Sequence, residues 1–377
     1  MADGAQFSSG LTATAPKGLR NRLMASDRFQ TWAARFPFTR ALVRREGQAL
    51  FDVMAGFCHS QILMALAELN VPEALLAGPR PIADLAQEAH VPEDRFDILM
   101  RGGAAIGMLK LRGKQVQLTR QGAAFATVPG LSAMVRHHRA FYRDLENPVA
   151  FFRGETTTEL AEVWPYVFGN ATAIDATTAA AYSDLMAQSQ RLVAQDTLRM
   201  VRFDDVHTLM DVGGGTGAFL EAVGTSYPDL SLRLFDLPTV APAARDRFEA
   251  AGMTHRSEIV TGSFRDQDLP TGANGISLVR VLYDHSDTTV RDLLAKAFAA
   301  LPKGGRIIIS EPMSGGDVPD RATDAYFALY TMAMRTGRTR SAQEISALLV
   351  EAGFDQVAMK RPLRSYVTGV VSAIKPK

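Results

Sequence analysis

The chain has 377 residues, 47% hydrophobic and 21% charged, with a formal net charge of +1; this length predicts two domains with ordinary globular cores, and this charge leaves no global footprint for a nucleic-acid partner. One cysteine, Cys58, excludes an internal disulfide and a multi-thiolate metal site. The histidines show no HExxH spacing, and His137 and His138 are adjacent, so no protein metal site is expected.

In chain order, residues 1–18 are small and polar and are expected to be disordered. The opening MADGAQFSSG lacks a charged segment followed by an apolar one. No apolar run reaches the roughly 20 residues of a membrane span, so a cytoplasmic protein is expected. Residues 19–48 interleave arginines (Arg28, Arg35, Arg40, Arg44, Arg45) with Leu23, Phe29, Trp32, Phe36 and Phe38. Such a segment can lie on an anionic membrane surface or form a helical arm packed on the rest of the protein; the second reading is preferred. Cys58 falls in the apolar stretch 53–69 and is expected to be a small core residue.

Residues 50–128 predict three short helices and a hairpin. Leu63, Leu66 and Leu69 give one helical stripe, Ile82, Leu85 and Ala89 a second, and Phe96, Leu99 and Met100 a third. Leu109, Leu111, Val116 and Leu118 alternate about a turn at Gly113-Lys114. This is a winged-helix pattern. Its third helix offers only Arg95 and Arg101, a poor base-reading surface, so dimerisation or packing is expected. Residues 130–200 read as helical and aromatic (Phe141, Tyr142, Phe151, Trp164, Tyr166, Phe168, Tyr182), able to form core or line an apolar pocket.

From residue 205 strands and helices alternate. Strands are predicted at 206–212, 230–235, 257–261, 275–282 and 305–310, with helices at 219–223, 242–251 and 288–301, which is a doubly wound α/β domain. After a helix at 341–352, the runs 357–361 and 365–374 predict a terminal hairpin that adds an antiparallel strand to the sheet. The expected domains are a basic arm (1–44), a winged-helix dimerisation domain (45–128), a helical linker and substrate-pocket region (129–200) and a Rossmann-like domain (201–377).

The sharpest local signal is Asp211-Val212-Gly213-Gly214-Gly215-Thr216-Gly217, where a strand ends, glycines permit a tight turn and a helix begins. Asp236, at the end of the next strand, can accept two hydrogen bonds from a ribose diol. Two cofactors fit. Gly213-x-Gly215-x-x-Ala218 formally matches the dinucleotide fingerprint of a nicotinamide dehydrogenase. Asp211-x-Gly213-x-Gly215-x-Gly217 matches the S-adenosylmethionine form, with an acid placed to face a cationic amino-acid end. The terminal hairpin favours the second, since that ending marks class I methyltransferases.

The motifs, taken in order over residues 45–377, resemble the small-molecule O-methyltransferases of the caffeate and hydroxyindole type. The matching stretches are Asp211–Gly217, Asp236-Leu237-Pro238, 281–287, Glu311-Pro312 and 337–344. The resemblance implies S-adenosylmethionine as cofactor, a homodimer, and a cofactor site drawn from Asp211, Gly213, Gly215, Gly217, Asp236, Leu237, Ser263, Phe264 and Arg280. Ser263 stands where the family usually has a carboxylate. The implied catalytic set is Tyr283, Asp284 and Glu311. Tyr283, in Tyr283-Asp284-His285, takes the place of the family's general-base histidine. Glu311 matches one carboxylate that orients that base, and Thr339 replaces the other.

These replacements bear on the substrate. A phenol, with a pKa of about 10, gains from a base near neutrality. An aliphatic alcohol is too weak an acid to be deprotonated beforehand, and alignment must supply much of its rate. A tyrosine could orient such an alcohol and relay its proton late, while His285, at the family's tryptophan position, is expected to pack. Together with the runs His138–Asp144 and Trp164–Gly169, this is similar to the carotenoid branch, which methylates a tertiary hydroxyl on acyclic carotenoids of the hydroxyneurosporene and demethylspheroidene type. The implied substrate is hydrophobic, and it would be met at a membrane, by peripheral contact. Tyr326, Tyr330, Met332 and Met334 add apolar residues at helical spacing. The alternatives are a tetrapyrrole C-methyltransferase and an adenosylmethionine-sensing, DNA-binding regulator.

Overall fold

The computed structural model describes residues 26–163 and 176–377, with Gly18 and Arg22, and gives side-chain environments for all of these except Gln30, Glu162, Val163 and 176–187. The predicted linker aromatics Trp164, Tyr166 and Phe168, the Tyr182 side chain, and Leu23 of the arm lie outside the described residues. The chain divides into two compact units, residues 1–69 with 78–117, and residues 70–77 with 118–377.

In the first unit, helices Gly56–Glu68, Ile82–Glu88 and Glu93–Ala105 accompany a small sheet of β1 (Arg80–Pro81), β2 (Leu109–Arg112) and β3 (Gln115–Leu118) in the order β1-β3-β2. The predicted hairpin turns at Gly113, whose φ is 59°. Leu66, Phe96, Met100 and Val116 are fully buried. Gly102 and Gly103 permit this packing: a Cβ on Gly103 would lie 2.7 Å from Leu109 and 3.0 Å from Leu66, and one on Gly102 would lie 2.8 Å from Ile62.

Two expectations fail in this unit. Cys58 is exposed, not core. Helix Gly56–Glu68 buries Met64, Leu66 and Ala67 and leaves Phe57 70% exposed, so the apolar stretch has more hydrophobic side chains than its inward face can hold. The arm is helical, as Asp27–Arg35 and Arg40–Met54, but it is not packed as predicted. Helix Arg40–Met54 has no buried residue, and Phe38 is 88% exposed. Within the arm Trp32 stacks on Phe36 at 4.8 Å, and both rings stay exposed. Among the described residues no single helix is long and apolar enough to cross a membrane; the pair Arg40–Met54 and Gly56–Glu68 passes that test only together, bent by 54° at its break.

The second unit is built on a seven-stranded sheet: β4 (Thr208–Val212), β5 (Ser231–Asp236), β6 (Ser257–Thr261), β7 (Gly275–Val279), β8 (Arg306–Glu311), β9 (Asp355–Arg364) and β10 (Thr368–Ile374), in the order β6-β5-β4-β7-β8-β10-β9. The first five are parallel. The predicted hairpin supplies β9 and β10, with β10 antiparallel to both neighbours and Gly369 opposite Glu311. Alternation along the strands splits the core into two layers. Met210, Val212, Ile307 and Ile309 face helices Asp287–Ala300 and Ala342–Glu351. Leu209, Leu232, Leu234 and Ile308 face helices Ala176–Met200, Ala218–Ser226 and Ala241–Ala250.

Strand order reverses beside β4: β5 lies on one side and β7 on the other. The carboxyl ends of the strands around such a switch point form a crevice, and the sequence-predicted site residues all fall there. Several boundaries differ by one to three residues, and one of them bears on the site. The predicted strand 275–282 ends at Val279, because Arg280 adopts a left-handed φ of 59°, and Leu282–Asp284 forms a 3-10 turn. Val281 and Leu282 are apolar because they are buried, which mimicked a longer strand.

Candidate active site

The glycine loop leaves β4 with Gly213, Gly215 and Gly217 at φ 70°, 58° and 76°. Those angles favour glycine, and the surroundings add a steric reason. A Cβ would lie 3.0 Å from Val281 at Gly213 and 2.8 Å from Phe248 at Gly217, while Gly215 faces open space. Beneath the loop Asp211 is fully buried. Ser277 Oγ donates to its Oδ1 at 2.6 Å, and its Oδ2 has no partner. Burial pushes Asp211 up to about 7, opposed by the Ser277 bond and reinforced by Asp236. Asp236 stays half-buried at the end of β5, where Oδ2 accepts from the Gly215 amide at 2.6 Å and Oδ1 from the Leu237 amide at 2.7 Å. Burial raises its pKa and these two bonds oppose the rise.

After β6, Ser263 Oγ accepts from the Arg265 amide at 3.2 Å and keeps its own proton to donate. Phe264 reaches the glycine loop, its Cε1 4.0 Å from where a Gly213 Cβ would be. It also meets the His285 ring edge-on at 5.2 Å. His285 is buried, with Nδ1 3.1 Å from Arg265 Nη2; burial, with Arg265 and Arg340 nearby, lowers its pKa to about 3. It is a neutral packing group, as expected.

An unpartnered buried carboxylate oxygen, a second carboxylate half-open at the next strand end, a turn only glycine tolerates and an aromatic wall fit a cofactor with a cationic group and a ribose. The loop's donors are partly engaged within the fold, since Gly213 N–H bonds to Phe235 O at 2.9 Å and Gly217 N–H to Gly214 O at 3.0 Å.

The second half of the site lies at the ends of β7 and β8. Tyr283 and Glu311 are fully buried and Asp284 is 7% exposed. Glu311 Oε2 accepts from the Tyr283 amide at 3.1 Å, and Oε1 has no partner. Burial pushes Glu311 up to about 7, against Arg340 and the amides of the 281–283 turn. Glu311 thus holds the backbone of that turn. The Tyr283 hydroxyl receives instead from Arg280 Nε at 3.4 Å, and Arg280 Nη1 donates to Ser189 Oγ at 2.7 Å. Burial raises the tyrosine pKa further. Asp284, with Oδ1 unpartnered, is also held well above the usual carboxylate range by burial, with Glu311 adding to it.

Segment 336–341 clamps this turn. Thr336 Oγ1 donates to Asp284 O at 2.8 Å, and a Cβ on Gly337 would collide with Tyr283 O at 1.9 Å. Arg340, fully buried, donates to Leu282 O (2.8 Å), His285 O (2.9 Å) and Asp287 Oδ1 (2.6 Å). Thr339, read as the vacated carboxylate position, is half-buried beside it.

Sequence reasoning missed one cluster. From sequence, the adjacent His137 and His138 argue against a metal site, His138 also opens the run His138–Asp144, and Tyr326 and Tyr330 read as apolar lining. In the structure His137 Nε2 lies 2.9 Å from Tyr330 Oη and His138 Nε2 lies 2.7 Å from Tyr326 Oη. The usable signal was two adjacent histidines together with two tyrosines at i, i+4.

Against known proteins, the O-methyltransferase domain matches residues 142–355 and the O-methyltransferase dimerisation domain residues 51–127. The chain belongs to the O-methyltransferase family, with the class I methyltransferase fold and an N-terminal helical dimerisation domain. It is 54% identical to the demethylspheroidene O-methyltransferase of Cereibacter sphaeroides, over 94% of each chain. It is 52% identical to that of Rhodobacter capsulatus, over 93% of this chain and 88% of the relative. Human N-acetylserotonin methyltransferase, solved in complex with SAM, shares the fold with a TM-score of 0.74 at 23% identity, covering 88% of this chain and 98% of the other. Family membership decides against the nicotinamide dehydrogenase and the DNA-binding regulator.

Proposed function

We propose that the protein is an S-adenosylmethionine-dependent O-methyltransferase that methylates a tertiary hydroxyl of an acyclic carotenoid of the demethylspheroidene type. The observation that carries this reading is the 54% identity with a demethylspheroidene O-methyltransferase across nearly all of both chains. Tyr283 at the family's base position supports it, since a histidine cannot deprotonate an unactivated alcohol before the methyl is transferred.

In this reading Asp211, Gly213, Gly215 and Gly217 hold the methionine end of the cofactor. Asp236 and Leu237 hold the ribose, and Ser263 and Phe264 the adenine. When bound, the cofactor supplies an electrophilic methyl group on a sulfonium. Tyr283, Asp284 and Glu311 shape the acceptor side. Glu311 fixes the turn that carries Tyr283, and Arg280 fixes the tyrosine hydroxyl, so the phenol can orient an alcohol oxygen by hydrogen bonding. Buried aromatics (Phe141, Phe151, Tyr330) give the apolar surroundings a polyene requires. The domain scheme of arm (1–44), dimerisation domain (45–128), linker (129–200) and catalytic domain (201–377) is part of the proposal. So is a homodimer whose basic, aromatic arm touches the membrane that dissolves the substrate.

Calorimetry with S-adenosylhomocysteine tests the cofactor site. Micromolar binding is expected, weakened by about 1–3 kcal/mol in Asp236→Ala, the value of a hydrogen bond to a charged group. Incubation with the cofactor and a hydroxylated acyclic carotenoid tests the substrate. The ether product is expected; methylation of a tetrapyrrole in its place would reject the carotenoid reading.

A further inference from the structure

Helix Leu131–Asp144 sets His137 and His138 side by side. Tyr326 belongs to a π-helical turn, Arg321–Phe327, and Tyr330 to the helix Ala328–Ala333 that follows. Wide turns of this kind concentrate at functional sites. The tyrosine rings stack at 6.0 Å, and each hydroxyl meets one imidazole.

The two pairs are not equivalent. Both tyrosines pack with the apolar cluster of Phe141, Phe151 and Leu160, but Tyr330 is only 5% exposed. Both stand within electrostatic reach of Tyr283 at the acceptor side of the site, and of the two Tyr326 is the half-buried one, with part of its surface open.

An acid–base role at Tyr283 meets an obstacle. Its hydroxyl faces Arg280, and a guanidinium donates but cannot accept. Among the described residues a proton arriving at the Tyr283 hydroxyl meets no hydrogen-bonded onward acceptor. Tyr326 has one, the imidazole of His138 at 2.7 Å.

We infer that Tyr326, backed by His138, is the proton-accepting group for the methylated hydroxyl. This rests on the alcohol O-methylation proposed above. As the alcohol oxygen bonds to the methyl carbon, the carbon–sulfur bond breaks and its electron pair stays on sulfur. The alcohol proton passes to Tyr326 Oη, and the tyrosine's own proton passes to His138 Nε2, so one positive charge moves from sulfur to imidazole. Burial, with His137 beside it, lowers the His138 pKa to about 4, which keeps it neutral and able to accept. A weak base suffices because the proton leaves a protonated ether, a strong acid. Tyr326 is the catalytic residue in this scheme and His138 its positioning and relay partner.

Two variants separate relay from scaffold. His138→Gln keeps a hydrogen-bond acceptor for Tyr326 but cannot take a proton, and Tyr326→Phe removes the relay. Both are expected to lower kcat about 100-fold, the usual scale of general acid–base assistance, with KM unchanged. S-adenosylhomocysteine affinity by calorimetry and the absorption shift of bound hydroxylated carotenoid should stay at wild-type values. Retained kcat in both relay variants, or loss of kcat matched by loss of carotenoid binding, overturns the inference. Wild-type turnover of the carotenoid reports on the proposed function alone.

Discussion

Asp211 holds a carboxyl where charge is disfavoured, with one oxygen bonded to Ser277 and the other unpartnered. Its pKa is raised to about 7 in the folded chain. The folded state therefore keeps a proton that the unfolded state releases above its ordinary value of about 4. The stability this group contributes is complete below that value and falls as pH rises toward 7. A cation brought against Oδ2 favours the ionised form. S-adenosylhomocysteine binding is then expected to release a proton at pH 6 and to tighten up to pH 7, with little further change above it. Calorimetry in two buffers of different ionisation enthalpy reads the proton, and Asp211→Asn should abolish the release. Glycine spacing put Asp211 in the candidate set. Its depth, the Ser277 bond and the idle oxygen depend on β7 lying beside β4 and were not legible in one sequence.

At the scale of elements, the parallel strands and the terminal hairpin could be read from alternation, because buried strands leave apolar runs bounded by turns. The clamp 336–341 could not. The run Gly337-Arg338-Thr339-Arg340-Ser341 drew attention to Thr339 as a replaced carboxylate, yet Arg340 is the residue that binds the 282–287 turn. A buried arginine looks like a surface arginine until its acceptors, 53 to 58 residues away in sequence, are placed. Arg340→Ala takes a donor from His285 O, Leu282 O and Asp287, of which Leu282 O keeps the His285 amide and Asp287 keeps Arg338. It should cost about 1–3 kcal/mol, as for buried backbone acceptors that lose a donor, measured by urea unfolding. It should lower kcat more than S-adenosylhomocysteine affinity, because the turn it holds carries Tyr283 and not the glycine loop. The arm misled in the opposite direction: amphipathic periodicity reports a helix with an apolar face but not what covers that face.

For the whole molecule, the uncovered face joins the exposed Trp32 and Phe38 to a run of arginines, and Phe51, Met54 and Phe57 continue it into the matched dimerisation domain. Co-sedimentation with anionic vesicles is expected, weakening with salt and lost in Arg40→Glu/Arg44→Glu; equal binding to neutral vesicles would remove the electrostatic contact. The sheet carries a different consequence, one of timing. β10 comes last of the seven strands in the chain yet lies inside the sheet, between β8 and β9. While a ribosome is still adding residues 368–374, β8 shows a bare edge and β9 has no neighbour at all. Native architecture is thus withheld until this segment clears the exit tunnel, and a nascent chain stalled short of it presents open strand edges, a form for chaperones to hold.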